Sequence, residues 1–158
     1  MLVLLKRSLS VALVYGIFFA SCCAQSAPTN YTSWIWIGEH EFATEIANTP
    51  AAMQRGMMMR PGIEDNEAML FVFTRPKPVT FWMKNTLIPL DMLFFNARGL
   101  LQEIKAAVPP CRTSRCPTYP SQYDDNVFVV EMQSGMAKKR NIQIGDKLNG
   151  CGFYVKDR

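Results

Sequence analysis

Five polar side chains stand in otherwise apolar surroundings. Arg60 follows three methionines, Lys84 and Asn85 follow Phe81-Trp82-Met83, Asp91 precedes Met92-Leu93-Phe94-Phe95, and Glu131 interrupts Val127-Phe128-Val129-Val130 and Met132. A charge placed among apolar groups costs free energy unless it is paired or used, so these positions are the candidates for chemistry. Arg60 and Lys84 suit an anion such as a carboxylate or a sugar acid, with Asn85, Asp91 and Glu131 completing a polar site. Asp91 and Glu131 are also the pair a hydrolase would use, provided their carboxyls face each other across a cleft at about 5–9 Å. The structural alternative is that Asp91 caps a turn and pairs with Lys84 or Arg60, pinning the bend at Pro89.

Other chemistries find little support. His40 is the one histidine, so neither a Ser-His-Asp triad nor a histidine-rich zinc site is expected. No nucleophile-elbow, phosphate-loop or zinc spacing occurs, and no cofactor or metal is expected. Ten methionines include Met57, Met58, Met59, Met69, Met83 and Met92 close to the polar candidates. Thioethers can hold Cu(I), but methionine more often fills irregular core gaps, and three in a row cannot all face one point. Trp34, Trp36, Trp82 and Tyr119 would form a sugar-stacking surface if exposed; core packing is the expectation for Trp82.

The elements that must position these groups read mainly as strands. Phe81 to Thr86 alternates as a strand leaving a core. Leu87-Ile88-Pro89 is a bend or sheet edge, because proline cannot donate to a ladder. Leu90 to Phe95 resumes as a strand, and pairing of the two would bring Lys84, Asn85 and Asp91 to one rim. Upstream, Trp34 to Ile37 and Glu41 to Ala47 form a hairpin around Gly38-Glu39-His40. Thr49 and Pro50 are an N-cap and first position for a helix to about Met57. Ala68 to Phe73 is a strand, and Thr74 to Pro78 a loop. Leu100 to Val108 and Val127 to Met132 are strands, with an irregular stretch from Tyr119 to Asp125. Ser134 to Arg140 is a short helix, and Gly145 to Leu148 turns into a last strand. About eight strands and two short helices, with turn signals every dozen residues, favour a compact antiparallel β-sandwich or barrel-like domain.

The chain of 158 residues carries a formal charge of +4. Residues 1–24 look like an export signal: Lys6-Arg7, then thirteen mostly apolar residues from Ser8 to Ala20, too few to span a bilayer comfortably. Cleavage after Ala24 is one reading. Lipidation at Cys22, after the lipobox-like Phe19-Ala20-Ser21, is another, and an uncleaved anchor a third. All three place the protein outside the cytoplasm and link it to a membrane only through the signal or a lipid. Residues 25–33 read as a linker and 34–156 as one β-rich domain. Without the leader, 15 basic and 13 acidic residues remain, too mild an excess for nucleic-acid binding. Cys111 and Cys116 stand with four residues between them, among prolines. In an oxidising compartment this reads as a disulfide loop, with half of a metal site as the rival. Cys151 is then either a buried unpaired residue or the partner of a cysteine left at the N-terminus.

Several of these stretches together resemble the domain-of-unknown-function family 192. They are Gly56-Met57-Met58-Met59-Arg60, Met69 to Phe73, Phe81 to Thr86 with Ile88-Pro89-Leu90-Asp91, Gly99, Pro110-Cys111 to Cys116 with Tyr119, Val129-Val130-Glu131 and Gly145-Asp146. The likeness covers roughly Trp34 to Tyr154, and the tryptophan-methionine-lysine-asparagine stretch is its most specific part. It implies a small sandwich or barrel-like fold, often exported, and no established activity. The expectation is therefore a non-enzymatic exported domain that binds a small anionic or sugar ligand, or a partner, around Lys84, Asn85 and Asp91. A hydrolase using Asp91 and Glu131, and a purely structural envelope protein, are the alternatives.

Overall fold

The computed structural model describes residues 33–150; the leader with Cys22, and Cys151, lie outside the described residues. Strand β1 (Ser33–Ile37) and strand β2 (His40–Ala47) form a hairpin whose turn places Gly38 at φ 58°. Helix α1 (Pro50–Arg55) starts as its sequence predicts: the Ala52 amide donates to Thr49 Oγ1 at 3.2 Å, with Pro50 in the first turn. Strand β3 (Glu67–Lys77) pairs with β2 in parallel. A parallel pair needs a long crossover, usually helical, and the segment carrying α1 supplies it. The remaining elements are β4 (Thr80–Trp82), β5 (Leu90–Asn96), β6 (Leu101–Val108), β7 (Thr118–Pro120), β8 (Asn126–Gln133), α2 (Met136–Lys139) and β9 (Leu148–Gly150).

Seven strands form one curled sheet in the order β6-β5-β8-β3-β2-β1-β9, and β4 pairs with β7 in a small second sheet. Every residue of β5 is buried, as befits a central strand covered on both faces. Alternation then sorts the side chains into two cores. Leu93, Phe95, Leu70, Val130 and Met132 face a core closed by Met136 and Ala137 of α2 and by Ile142 and Leu148. Met92, Phe94, Met69, Phe71 and Val129 face a second core, closed by Met57, Ile63, Val79, Met83 and Cys111.

The fold is mainly β with two short helices, as the sequence leads one to expect, but one pair, β2 with β3, is parallel where antiparallel pairing was expected, and there are three further differences. The stretch Phe81 to Thr86 does not pair with Leu90 to Phe95. Both edges of β5 are occupied, by β6 and β8, and the chain turns at Asn85 (φ 57°) on its way from β4 to β5. β4 pairs instead with β7, a strand inside the stretch expected to be irregular. β3 runs on through Thr74 to Lys77 past a register shift after Val72, where a loop was expected.

Candidate functional site

Glu131 follows Val130 on β8, so its side chain turns to the second core. Across the sheet it stands in one row with Glu45 of β2, Met69 of β3, Met92 of β5 and Lys105 of β6. The segment after α1 passes directly over it. A Cβ on Gly56 would lie 3.4 Å from Phe71 Cζ and 3.9 Å from Glu131 Oε2, and Gly56 sits at φ 45°. Those are ordinary contact distances, so it is the positive φ that calls for glycine here. Met59 and Asn85, also left-handed at φ 61° and 57°, are joined by a 2.9 Å bond from the Met59 amide to the Asn85 carbonyl. The Asn85 amide donates to the Cys111 carbonyl at 2.8 Å, and the Cys111 amide to Met83 at 3.1 Å. Cys111 is disulfide-bonded to Cys116. The disulfide loop thus clips the turn that presents Lys84.

These elements enclose a chamber of about 20 Å³ lined by Gly56, Met57, Trp82, Lys84, Thr86 and Glu131 among others. That volume admits one water molecule or one or two ligand atoms. Lys84 Nζ lies 5.2 Å from the centroid of the Trp82 ring, a cation–π contact, and forms no ion pair among the described residues. Glu131 is 4 % exposed, and its Oε2 has no hydrogen-bond partner among the described residues. Burial pushes its carboxyl up to about 8, against an opposing pull from the Arg60 guanidinium. At neutral pH Glu131 is therefore mostly protonated and can donate. The chamber thus has a protonated acid in its lining, and Lys84 lines it too, with its ammonium over the Trp82 ring.

The five sequence candidates separate. Lys84 and Glu131 line the same chamber. Arg60 is held by Glu45 in a two-pronged pair, with Nη2 2.6 Å from Oε2, and acts on Glu131 through its charge. An open depression of about 650 Å³ beside this pair has those two charges satisfying each other. Asn85 exposes its side chain and contributes its backbone. Asp91 is elsewhere. It stands opposite Met132 while Met92 stands opposite Glu131, so Asp91 and Glu131 point to opposite faces of the sheet. Asp91 Oδ1 accepts from the Ala107 amide at 2.8 Å, and Oδ2 from the Ala137 amide at 3.0 Å in the first turn of α2. It does not pair with Lys84 or Arg60, contrary to the structural alternative, although its role is a structural one.

Trp82, expected in the core, is 42 % exposed, because β4 belongs to the small outer sheet. His40 starts β2 and is half-buried. Met57, Met69, Met83 and Met92 pack in the second core, whereas Met59 is 69 % exposed. No group of three or more His, Cys, Asp or Glu side chains suited to a metal occurs among the described residues, and none of their helices is long and apolar enough to cross a membrane. Sequence reasoning missed Glu45 and Gly56 as parts of the site. Glu45 was legible as a carboxylate between Ala43 and Ala47 on the inward face of β2. Gly56 was legible as the glycine that must end α1.

The comparisons with known proteins agree with this architecture and carry no activity with them. Among curated proteins, none matches the chain. A solved structure from Sinorhizobium meliloti 1021, described as a candidate transcription regulator, is 30 % identical with a TM-score of 0.69, covering 78 % of this chain and 97 % of that one. A protein of unknown function from Novosphingobium aromaticivorans DSM 12444 is 31 % identical with a TM-score of 0.68, covering 73 % and 83 %. Residues 34–150 match the DUF192 family model, described as "Uncharacterized ACR", and the chain therefore belongs to the domain-of-unknown-function family 192.

Proposed function

We propose that this protein is an exported binding domain and that its site is the chamber between Lys84 and Glu131, which takes a small anionic or hydroxyl-bearing group of its ligand. The observation that carries this reading is the unpartnered Oε2 of a fully buried glutamic acid facing a water-sized hole beside a lysine. A buried polar atom left without a partner costs about 1–3 kcal/mol, and a ligand atom in the chamber would satisfy it. Export is supported by the basic-then-apolar leader and by the Cys111–Cys116 disulfide. A hydrolase built on Asp91 and Glu131 has no support, since the two carboxyls face different cores. The regulator description of the Sinorhizobium protein is not carried over: the near-balanced charge of the chain beyond the leader is a poor footprint for DNA.

The test is thermal-shift titration with acetate, succinate, glucuronate and neutral sugars. The expected outcome is a dose-dependent rise in Tm that Lys84→Ala removes while its own Tm stays within a few degrees of wild type. Binding that survives unchanged in both Lys84→Ala and Glu131→Gln would sink the proposal.

A further inference from the structure

We infer that the groove between β4 and α1 takes the C-terminal end of an extended acidic peptide, which adds as a strand along Thr80 to Lys84 and seats its terminal carboxylate at Lys84. The inference rests on the binding role proposed above and names the occupant of that site.

The first support is a row of backbone groups. The Ser121 amide donates to the Val79 carbonyl at 2.9 Å, and the register sets Thr80 opposite Pro120, Phe81 opposite Tyr119 and Trp82 opposite Thr118. Bonded and non-bonded pairs alternate in an antiparallel ladder. The Val79 carbonyl and the backbone groups of Phe81 are therefore spent on Ser121 and β7, and Thr80 and Trp82 point theirs away; Pro120, which has no N–H, fits a non-bonded position. Further on, Cys111 uses the Met83 carbonyl and the Asn85 amide, so Lys84 also points its N–H and C=O outward. Thr80, Trp82 and Lys84 thus form an edge with no backbone partner among the described residues. Such groups recur every second residue, about 6.4–6.8 Å apart, a spacing that a second extended chain reproduces and a compact metabolite does not.

Shape and charge fix the rest. Beside this edge a groove of about 190 Å³ is walled by Met53, Phe73 and Phe81. It shares Met53, Phe73 and Lys77 with an adjoining space of about 310 Å³ that Arg75 also lines, and Met53, Phe81 and Trp82 with the chamber of about 20 Å³ at Lys84. A chain lying in it has room for side chains at the outer end and for a carboxylate oxygen at the inner end, so the inner end is a terminus. Arg55, Arg75, Lys77 and Lys84 line these three spaces, and the single acid lining them is Glu131 at the chamber floor. That balance selects an acidic chain.

The test uses an N-terminally fluorescein-labelled hexapeptide of alternating glutamate and valine with a free C-terminal carboxylate, titrated with the purified protein by fluorescence anisotropy. The C-terminal amide and the lysine-for-glutamate version are expected to bind at least tenfold more weakly. Backbone N-methylation in one alternate phase should abolish binding, and in the other phase leave it intact. Thr80→Pro removes an outward N–H that the fold does not use and should weaken binding about tenfold, as should Lys84→Glu. Equal binding of acid and amide, or indifference to both phases of N-methylation, overturns the inference. Acetate binding that depends on Lys84 with no peptide binding overturns it and leaves the binding role standing. Binding of neither probe overturns both.

Discussion

Asp91 on β5 and Glu131 on β8 are buried carboxyls one register position apart, and their oxygens have opposite fates. Asp91 turns to the core under α2, where each oxygen receives a backbone amide, from Ala107 and from Ala137. Ala107 has a left-handed backbone (φ 52°) beside the register shift between β5 and β6, and Ala137 lies in the first turn of a four-residue helix. Both amides would otherwise be orphans, so this carboxylate completes the fold. Glu131 turns to the other core, receives no hydrogen bond at Oε2, and faces a hole. Burial alone therefore does not mark an acid as structural or functional. The account of its hydrogen bonds does, because each oxygen of Asp91 accepts one, whereas an acid with an unpartnered oxygen opposite a cavity has room for something else.

The largest effect expected from breaking this contrast is at Asp91. Asp91→Ala removes two hydrogen bonds to a charged acceptor, each worth about 1.5–3 kcal/mol, and should cost about 4 kcal/mol in urea unfolding. The chamber residues should be untouched, so any ligand that binds at Lys84 should still bind to the folded fraction. A loss below about 1 kcal/mol would mean the two amides find other partners and the contrast is overdrawn.

Glu131 should behave in the reverse manner. Its carboxyl is raised from 4.5 to about 8 by burial, opposed by Arg60. The folded state therefore holds this proton more tightly than the unfolded chain does. The stability it contributes is complete below the unfolded value and is lost as pH rises through the folded one, at roughly 1.4 kcal/mol per unit between the two. Wild type should lose about 2–3 kcal/mol between about pH 6 and about pH 8 from this group alone, and Glu131→Gln should lack that loss. The difference between the two urea-unfolding profiles isolates the group from the other titrations. Parallel profiles would show that Glu131 ionises normally and that the chamber is wet and open.

How much of this was legible beforehand follows from what each residue depends on. Alternation and turn chemistry are local, so the strands around Leu70, Phe94 and Val129, the cap at Thr49 and the disulfide pair could be read directly. Lys84 and Glu131 could be picked out because each is polar in an apolar run. Their meeting could not, since it depends on pairing between distant strands: β8 lies between β5 and β3, and the crossover after β2 drops Gly56 onto Glu131. The same non-local information displaced Asp91 from the rim. Its alternation phase was visible, but phase selects a face only once the partner strand and its register are known. Trp82 was misplaced for a related reason. An aromatic in an apolar run reads as core, and only the pairing of β4 with β7 shows it to be on an outer sheet.

The smallest of these effects sharpens the contrast from the site's side. The disulfide closes a ring of a few residues, for which loop entropy gives about 2 kcal/mol. Its placement matters more than its magnitude. The backbone of Cys111 bonds to Met83 and Asn85 on either side of Lys84, and Asn85 in turn holds Met59 on the opposite wall. Replacing Cys111 and Cys116 by alanine should therefore lower global stability by about 2 kcal/mol. It should also speed hydrogen exchange at the amides of Asn85 and Met59 well beyond that global change. The Ala107 and Ala137 amides on Asp91, in the other core, should follow the global change alone. If all four amides accelerate equally, the disulfide is a general staple and the turn at Lys84 is held by its own packing. If the first pair alone is released, the two faces are separately secured. The rigid one then carries the fold, and the clipped one keeps Lys84 in the lining of the chamber that Glu131 also lines.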